Sequence, residues 1–218
     1  RGLAEITVVT FPSDNGGVGG YQREGIQAKD TTDNAPLKGG KGTLYEGGIR
    51  VPYVFRWKGT IPAGSVSSQP IASIDLYPST LELAKANKPE NHVLDGVSYA
   101  AHLKDPAHTK VERDALFWHF PGYLGAGKNT WRTKPVSVVR SGQWKLIQSL
   151  EDRSLQLYDL DADLGETNNL ADAQPEKAKE LLAKLDGWRE SIKAPLPTKN
   201  VAKGGAEKPG KKKRKRNQ

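Results

Sequence analysis

Residues 36–52, PLKGGKGTLYEGGIRVP, place a single lysine, Lys41, between Gly39-Gly40 and Gly42. Glycine lets a backbone come close to a ligand and take positive φ, so a charged residue among glycines can be presented to a small anion at short range. Taken alone, Gly-Gly-Lys-Gly is ordinary loop punctuation. Its upstream context gives it weight. Residues 5–11, EITVVTF, form a β-branched run that predicts a buried strand, and this run empties into Ser13-Asp14-Asn15-Gly16-Gly17. In open α/β sheets ligands bind beyond the carboxyl ends of strands, where this order puts Asp14 and Asn15. A carboxylate beside an amide oxygen is a pair of hard donors suited to Ca²⁺ or Mg²⁺.

The chain resembles the type I, formylglycine-dependent sulfatases, particularly the arylsulfatase A-like branch. The resemblance rests on SDNGG after a hydrophobic strand and on the lysine stretch. In order along the chain it continues through Arg56-Trp57-Lys58-Gly59, Ile61-Pro62-Ala63-Gly64, Ser73-Ile74-Asp75-Leu76-Tyr77-Pro78, Leu94-Asp95-Gly96-Val97-Ser98 and Leu157-Tyr158-Asp159-Leu160. It implies an α/β fold: the C-terminal part of an alkaline-phosphatase-like, sulfatase mixed-sheet domain followed by a small α+β antiparallel subdomain. It further implies that Asp14 and Asn15 are Ca²⁺ ligands, with the set completed by residues outside this chain. Lys41 would be the catalytic lysine that holds a sulfate oxygen and assists the leaving group. The implied substrate is a sulfate ester, an aryl sulfate or a sulfated glycan, and the implied location is periplasmic or secreted. Pro12 replaces the family's usual threonine, at a strand end where a missing N–H costs little.

The family builds its nucleophile, formylglycine, from a cysteine or serine within Cys/Ser-x-Pro-x-Arg. This chain of 218 residues has no cysteine, no methionine and no Ser-x-Pro-x-Arg. The expectation is a C-terminal fragment that supplies electrostatics without the nucleophile and is inactive alone. Two other readings stand beside it. One is a phosphodiesterase or phosphonate hydrolase of the same superfamily, against which the intact Gly-Gly-Lys-Gly-Thr-x-Tyr-Glu-Gly-Gly-x-Arg run argues. The other is a non-catalytic polyanion-binding module.

The net charge is confined to one end. Residues 199–218 hold nine of the 33 basic residues and one of the 25 acidic ones, so residues 1–198 balance at 24 of each. The end segment reads as a disordered basic tail that could contact polyanions, and a nucleic-acid role is not expected. No stretch is apolar for the ~18 residues that a membrane span requires. Expected units are 1–110, the sulfatase α/β part, 111–198, an antiparallel sheet with a helix, and 199–218, the tail.

Local patterns give the elements. Residues 51–57 predict a second strand. A helix should follow with Asp75 as its N-cap, Pro78 in its first turn, and Leu76, Thr80, Leu83 and Ala84 on the buried face. Strands are predicted over 115–120, 136–140, 144–149 and 155–160, with a hairpin turn at Ser141-Gly142 and a Gly-rich loop over 122–127. A helix over 175–192 places Ala178, Leu181, Leu182, Leu185, Trp188 and Ile192 on one stripe. His119, among aromatics on a strand, has two readings: a substrate contact by family analogy, or a packed strand histidine. His92, His102 and His108 are assigned nothing, Glu46 and Arg50 read as a structural charge pair or scaffold contacts, and the acids at 159–163 read as a turn that caps locally. An EF-hand there would need glycine and an acid where Leu164 and Leu170 stand.

Overall fold

The computed structural model describes residues 2–18, 32–127 and 130–198. The basic tail expected at 199–218 lies outside the described residues. In chain order the elements are β1 (Val9–Pro12), α1 (Glu46–Ile49), β2 (Tyr53–Arg56), a 3₁₀ turn (Ser73–Asp75), α2 (Leu76–Leu83), α3 (Ala100–Lys104), β3 (Leu116–Phe120), β4 (Leu124–Gly127), β5 (Thr130–Thr133), β6 (Val136–Ser141), β7 (Trp144–Ser149), β8 (Leu155–Asp159) and α4 (Pro175–Ser191).

The centre of the molecule is a four-stranded sheet ordered β3-β6-β7-β8, antiparallel throughout. Its inner strands, VSVVRS and WKLIQS, do not alternate cleanly between apolar and polar because both faces are covered. On one face Val139, Leu146 and Leu157 pack against Ala178, Leu181 and Leu185 of α4, with Phe117 stacked on Trp188 at 4.8 Å. On the other face Val138, Ile147, Tyr158 and Leu160 meet Leu44 and Tyr45, from the lysine stretch itself. Each fully buried leucine here contributes about 1.5–3 kcal/mol relative to exposure. The loop that carries Lys41 is thus seated on the C-terminal sheet as the opposite layer to α4.

α4 starts with Pro175 at its first turn, where a missing N–H is harmless. Its apolar stripe forms as the 3.6-residue period predicts, except that Ile192 lies past the helix end and is exposed. The β6–β7 hairpin turns at Gly142-Gln143, one residue later than the expected Ser141-Gly142, because Ser141 is still paired with Trp144.

Four expectations need correction. The run at 5–11 is not a buried strand: pairing begins at Val9, against β2, and Ile6, Val9 and Phe11 are exposed. A β-branched run signals a strand but cannot say whether both its faces are covered. Leu76, Thr80, Leu83 and Ala84 do share a face, towards a cleft under the β1–β2 ribbon. Leu76, Thr80 and Ala84 are exposed, and the fully buried side chain of α2 is Ser79, whose hydroxyl donates to the Asp75 carbonyl at 2.7 Å.

Asp75 stands at the N-cap position but does not cap α2. Its fully buried carboxylate accepts from the Ala72 and Val97 amides at 2.7 and 3.0 Å and pairs with Arg113. The supposed Gly-rich loop is a hairpin, β4 with β5, which carries two register shifts. Glycine content hid it, because strand propensity scales penalise glycine whatever the tertiary setting.

Candidate active site

Two turns meet at the ends of the β1–β2 ribbon. After β1, Ser13 donates its amide to the Pro52 carbonyl at 3.1 Å, and Gly16 donates to Gly48 at 3.0 Å. A side chain cannot stand at Gly16, because a Cβ there would overlap the Gly47 carbonyl. The Lys41 amide then donates to the Gly17 carbonyl at 2.8 Å. The Asp14-Asn15 turn and the lysine loop are therefore hydrogen-bonded to each other, although 27 or so residues separate them in sequence, on the order of a whole supersecondary unit.

Within the loop, Thr43 is the internal brace. Its amide and hydroxyl both donate to the Gly40 carbonyl, at 2.9 and 2.8 Å. Asn34 adds a clamp, its amide group donating to Gly17 at 3.0 Å and to Gly39 at 3.1 Å. Gly42, at φ +88°, gives up its carbonyl to the Thr133 hydroxyl on β5. The loop's two lysines are sorted by this scaffold. Lys38 turns inward, donating to the Glu166 carbonyl at 2.9 Å and lying 4.4 Å from the centre of the Tyr45 ring. Lys41 is exposed.

Asp14 is exposed, and Asn15 lines a cleft of about 540 Å³ shared with Ser13, Asp33, Asn34 and Arg50. The Asn15 amide nitrogen donates to the Gly16 carbonyl at 2.9 Å, so its oxygen is the atom that would serve as a cation ligand. Two hard oxygens of this kind fit Ca²⁺, which takes ~6–8. Among the described residues no group of three or more His, Cys, Asp or Glu is placed to hold a metal.

Beneath the loop lies a charge cluster that the sequence reading missed. Lys145 of β7, fully buried, pairs with Glu46 of α1 at 2.9 Å and with Glu166 at 2.8 Å, both carboxylates also being buried. Glu166 further accepts from the Glu46 amide at 2.6 Å and sits at φ +52°, a left-handed backbone that costs a non-glycine residue on the order of 1 kcal/mol or more. Burial raises the Glu166 pKa, and Lys145 opposes that rise. Arg50 reaches Glu46 only at 3.7 Å, so the pair expected from sequence is the minor one. A lysine inside an apolar strand, WKLIQS, was the one available signal.

His119 sits on β3, with Nδ1 2.7 Å from the Ser137 hydroxyl and Nε2 2.7 Å from the Pro195 carbonyl. Arg189 donates to the same hydroxyl at 3.2 Å. His102 is buried between the Ser67 hydroxyl and the Thr109 carbonyl, and His108 pairs with Asp105. The acids at 159–163 act locally. Asp159 accepts from the Asp161 amide, and Asp163 from the Thr167 and Asn168 amides, which lower its pKa.

The chain belongs to the sulfatase family. Residues 40–193 match the family model described as N-sulphoglucosamine sulphohydrolase, C-terminal. A sulfatase of Formosa agariphila is 39% identical over 207 residues, covering 89% of this chain and 35% of the relative. An N-acetylgalactosamine-6-O-sulfatase of Bacteroides thetaiotaomicron is 30% identical over 188 residues, covering 84% and 36%. The chain thus spans about a third of the length of these relatives, and it matches their alkaline-phosphatase-like, C-terminal part.

Two solved structures are similar at this level. One is i-CgsB in complex with a neocarrahexaose, with a TM-score of 0.65 and 27% identity over 85% of this chain and 37% of that one. The other is a 6S-sulfatase from work on glycosaminoglycan metabolism by Bacteroides thetaiotaomicron, with a TM-score of 0.66 and 28% identity over 88% and 40%. No helix among the described residues is long and apolar enough to cross a membrane.

Proposed function

We propose that this chain forms the electrostatic part of a sulfuric ester hydrolase site acting on sulfated glycans. The observation that supports the reading is the 2.8 Å bond from the Lys41 amide to the Gly17 carbonyl, which ties the backbone of the lysine loop to the turn that carries Asp14 and Asn15, while the Lys41 side chain is exposed. Lys41 neutralises a sulfate oxygen and offsets the charge that develops on the departing alcohol. Asp14 and Asn15 hold Ca²⁺ together with oxygens from outside this chain. When bound, the cation polarises sulfate oxygens, adding a fixed positive charge where the transition state gains negative charge. The chain contains no cysteine and no Ser-x-Pro-x-Arg, so the nucleophile is supplied from elsewhere and the chain alone does not turn over. Glycans are preferred to simple aryl sulfates because the N-acetylgalactosamine-6-O-sulfatase and the neocarrahexaose complex are among its relatives.

Titration of the ¹⁵N-labelled chain with inorganic sulfate tests the assignment. Amide shifts should centre on residues 39–43 and disappear in Lys41→Ala, while an aryl sulfate should stay unhydrolysed. Shifts that survive in Lys41→Ala would remove the lysine from the site, and turnover by the chain would show a nucleophile within it.

A further inference from the structure

The β4–β5 hairpin is built against the lysine loop in a way that a structural prop would not require. Between the Leu124↔Thr133 and Gly125↔Trp131 pairs, β5 carries one extra residue, Arg132. Such a bulge bends its strand and re-aims a side chain, and bulges recur beside active sites. Here it brings both Arg132 and Thr133 onto Gly42, the neighbour of Lys41. The Thr133 hydroxyl donates to the Gly42 carbonyl, and the Arg132 Cδ would lie 3.3 Å from a Cβ built on Gly42.

The same hairpin exposes two large aromatic rings. Tyr123 and Trp131 are 49% and 53% exposed, with ring centres 5.0 Å apart and tilted by 53°. Their geometry is fixed in advance. The Tyr123 hydroxyl donates to Glu151 at 2.6 Å, and Glu151 is held in turn by Lys134 at 3.1 Å. Exposed, preorganised rings on a hairpin that is hydrogen-bonded to the Lys41 loop suit a saccharide, whose C–H faces pack on aromatic faces while its hydroxyls remain in water.

We propose that Tyr123 and Trp131 form a sugar-stacking subsite, which takes the glycan ring next to the one whose sulfate ester faces Lys41. The inference rests on the sulfatase reading of Lys41. It makes the hairpin a determinant of chain-length specificity, because a single sulfated sugar would reach Lys41 without touching the rings.

The test compares two probes, inorganic sulfate and a sulfated neocarrahexaose, by calorimetric titration of the 218-residue chain and three variants. Trp131→Ala, at an exposed position, should weaken hexasaccharide binding by about tenfold and leave sulfate binding unchanged. Trp131→Phe should keep most of the hexasaccharide affinity, and Lys41→Ala should lose both probes. If Trp131→Ala binds the hexasaccharide as tightly as the parent while Lys41→Ala does not, the subsite is refuted and the role of Lys41 stands. If the parent chain binds neither probe, or Lys41→Ala binds both, the sulfatase reading of the site fails, and the subsite with it.

Discussion

Lys145 and Glu46, 99 residues apart, form a buried ion pair at 2.9 Å that joins the central strand β7 to the short helix following the Lys41 loop. Neither charge reaches solvent, and Glu166 closes the cluster with a second carboxylate. Removing the cation strands two buried anions, a loss of about 3–5 kcal/mol by comparison with broken buried pairs. Lys145→Met should therefore unfold at markedly lower urea concentration. Adding Glu46→Gln in that background should recover part of the loss, so that the two substitutions are non-additive.

Gly16 and Gly187 respond to the same substitution with opposite signs. At Gly16 an alanine Cβ would overlap the Gly47 carbonyl, so Gly16→Ala should cost about 3 kcal/mol or more and displace the Asp14-Asn15 turn. At Gly187, inside α4 with nothing near its Cβ position, alanine should stabilise by about 0.5–1 kcal/mol. Thermal melts of the two variants decide both signs.

Asp75 links three segments through one carboxylate, and Asp75→Ala would leave the Val97 amide and the largely buried Arg113 without that acceptor. Hydrogen exchange should find the Val97 amide deprotected by at least about tenfold, against little change in β6 and β7.

The acids near β8 should pull stability in opposite directions with pH. Glu166 has its pKa raised above the ordinary 4.5 by burial, so its contribution is fully present below 4.5 and declines as pH climbs through the raised value. Asp163 has its pKa lowered below 3.8 by backbone hydrogen bonds, so its contribution is present above 3.8 and lost as pH falls through the lowered value. Relative to the parent, Glu166→Gln should flatten the fall in stability above pH 4.5, and Asp163→Asn should flatten the loss below pH 3.8. Melting temperatures measured from pH 3 to 8, roughly, bracket both windows.

What could be read in advance followed local periodicity. The stripe Ala178, Leu181, Leu185 and the Gly142 turn each follow from spacing over a few residues, and the architecture followed from ordered family motifs. The expectations that needed correction depend on partners distant in sequence. Val9 and Phe11 look like core residues until the sheet around them is counted. Asp75 has the sequence position of a cap, and only Val97 and Arg113 show where its carboxylate goes. Lys145 and Glu46 carry no mutual pattern at 99 residues' separation, and the bulge at Arg132 appears only once β4 and β5 are paired.

Seating the lysine loop on the sheet opposite α4 makes the loop and the sheet a single unit of inheritance. Leu44 and Tyr45 fill one face of the C-terminal sheet, and Glu46 neutralises a lysine within it. A recombination or a proteolytic cut near residue 110 would split that unit, leaving Lys145 facing an empty layer on one side and Glu46 unpaired on the other. A substitution in that shared layer would therefore act on the loop and on the sheet together.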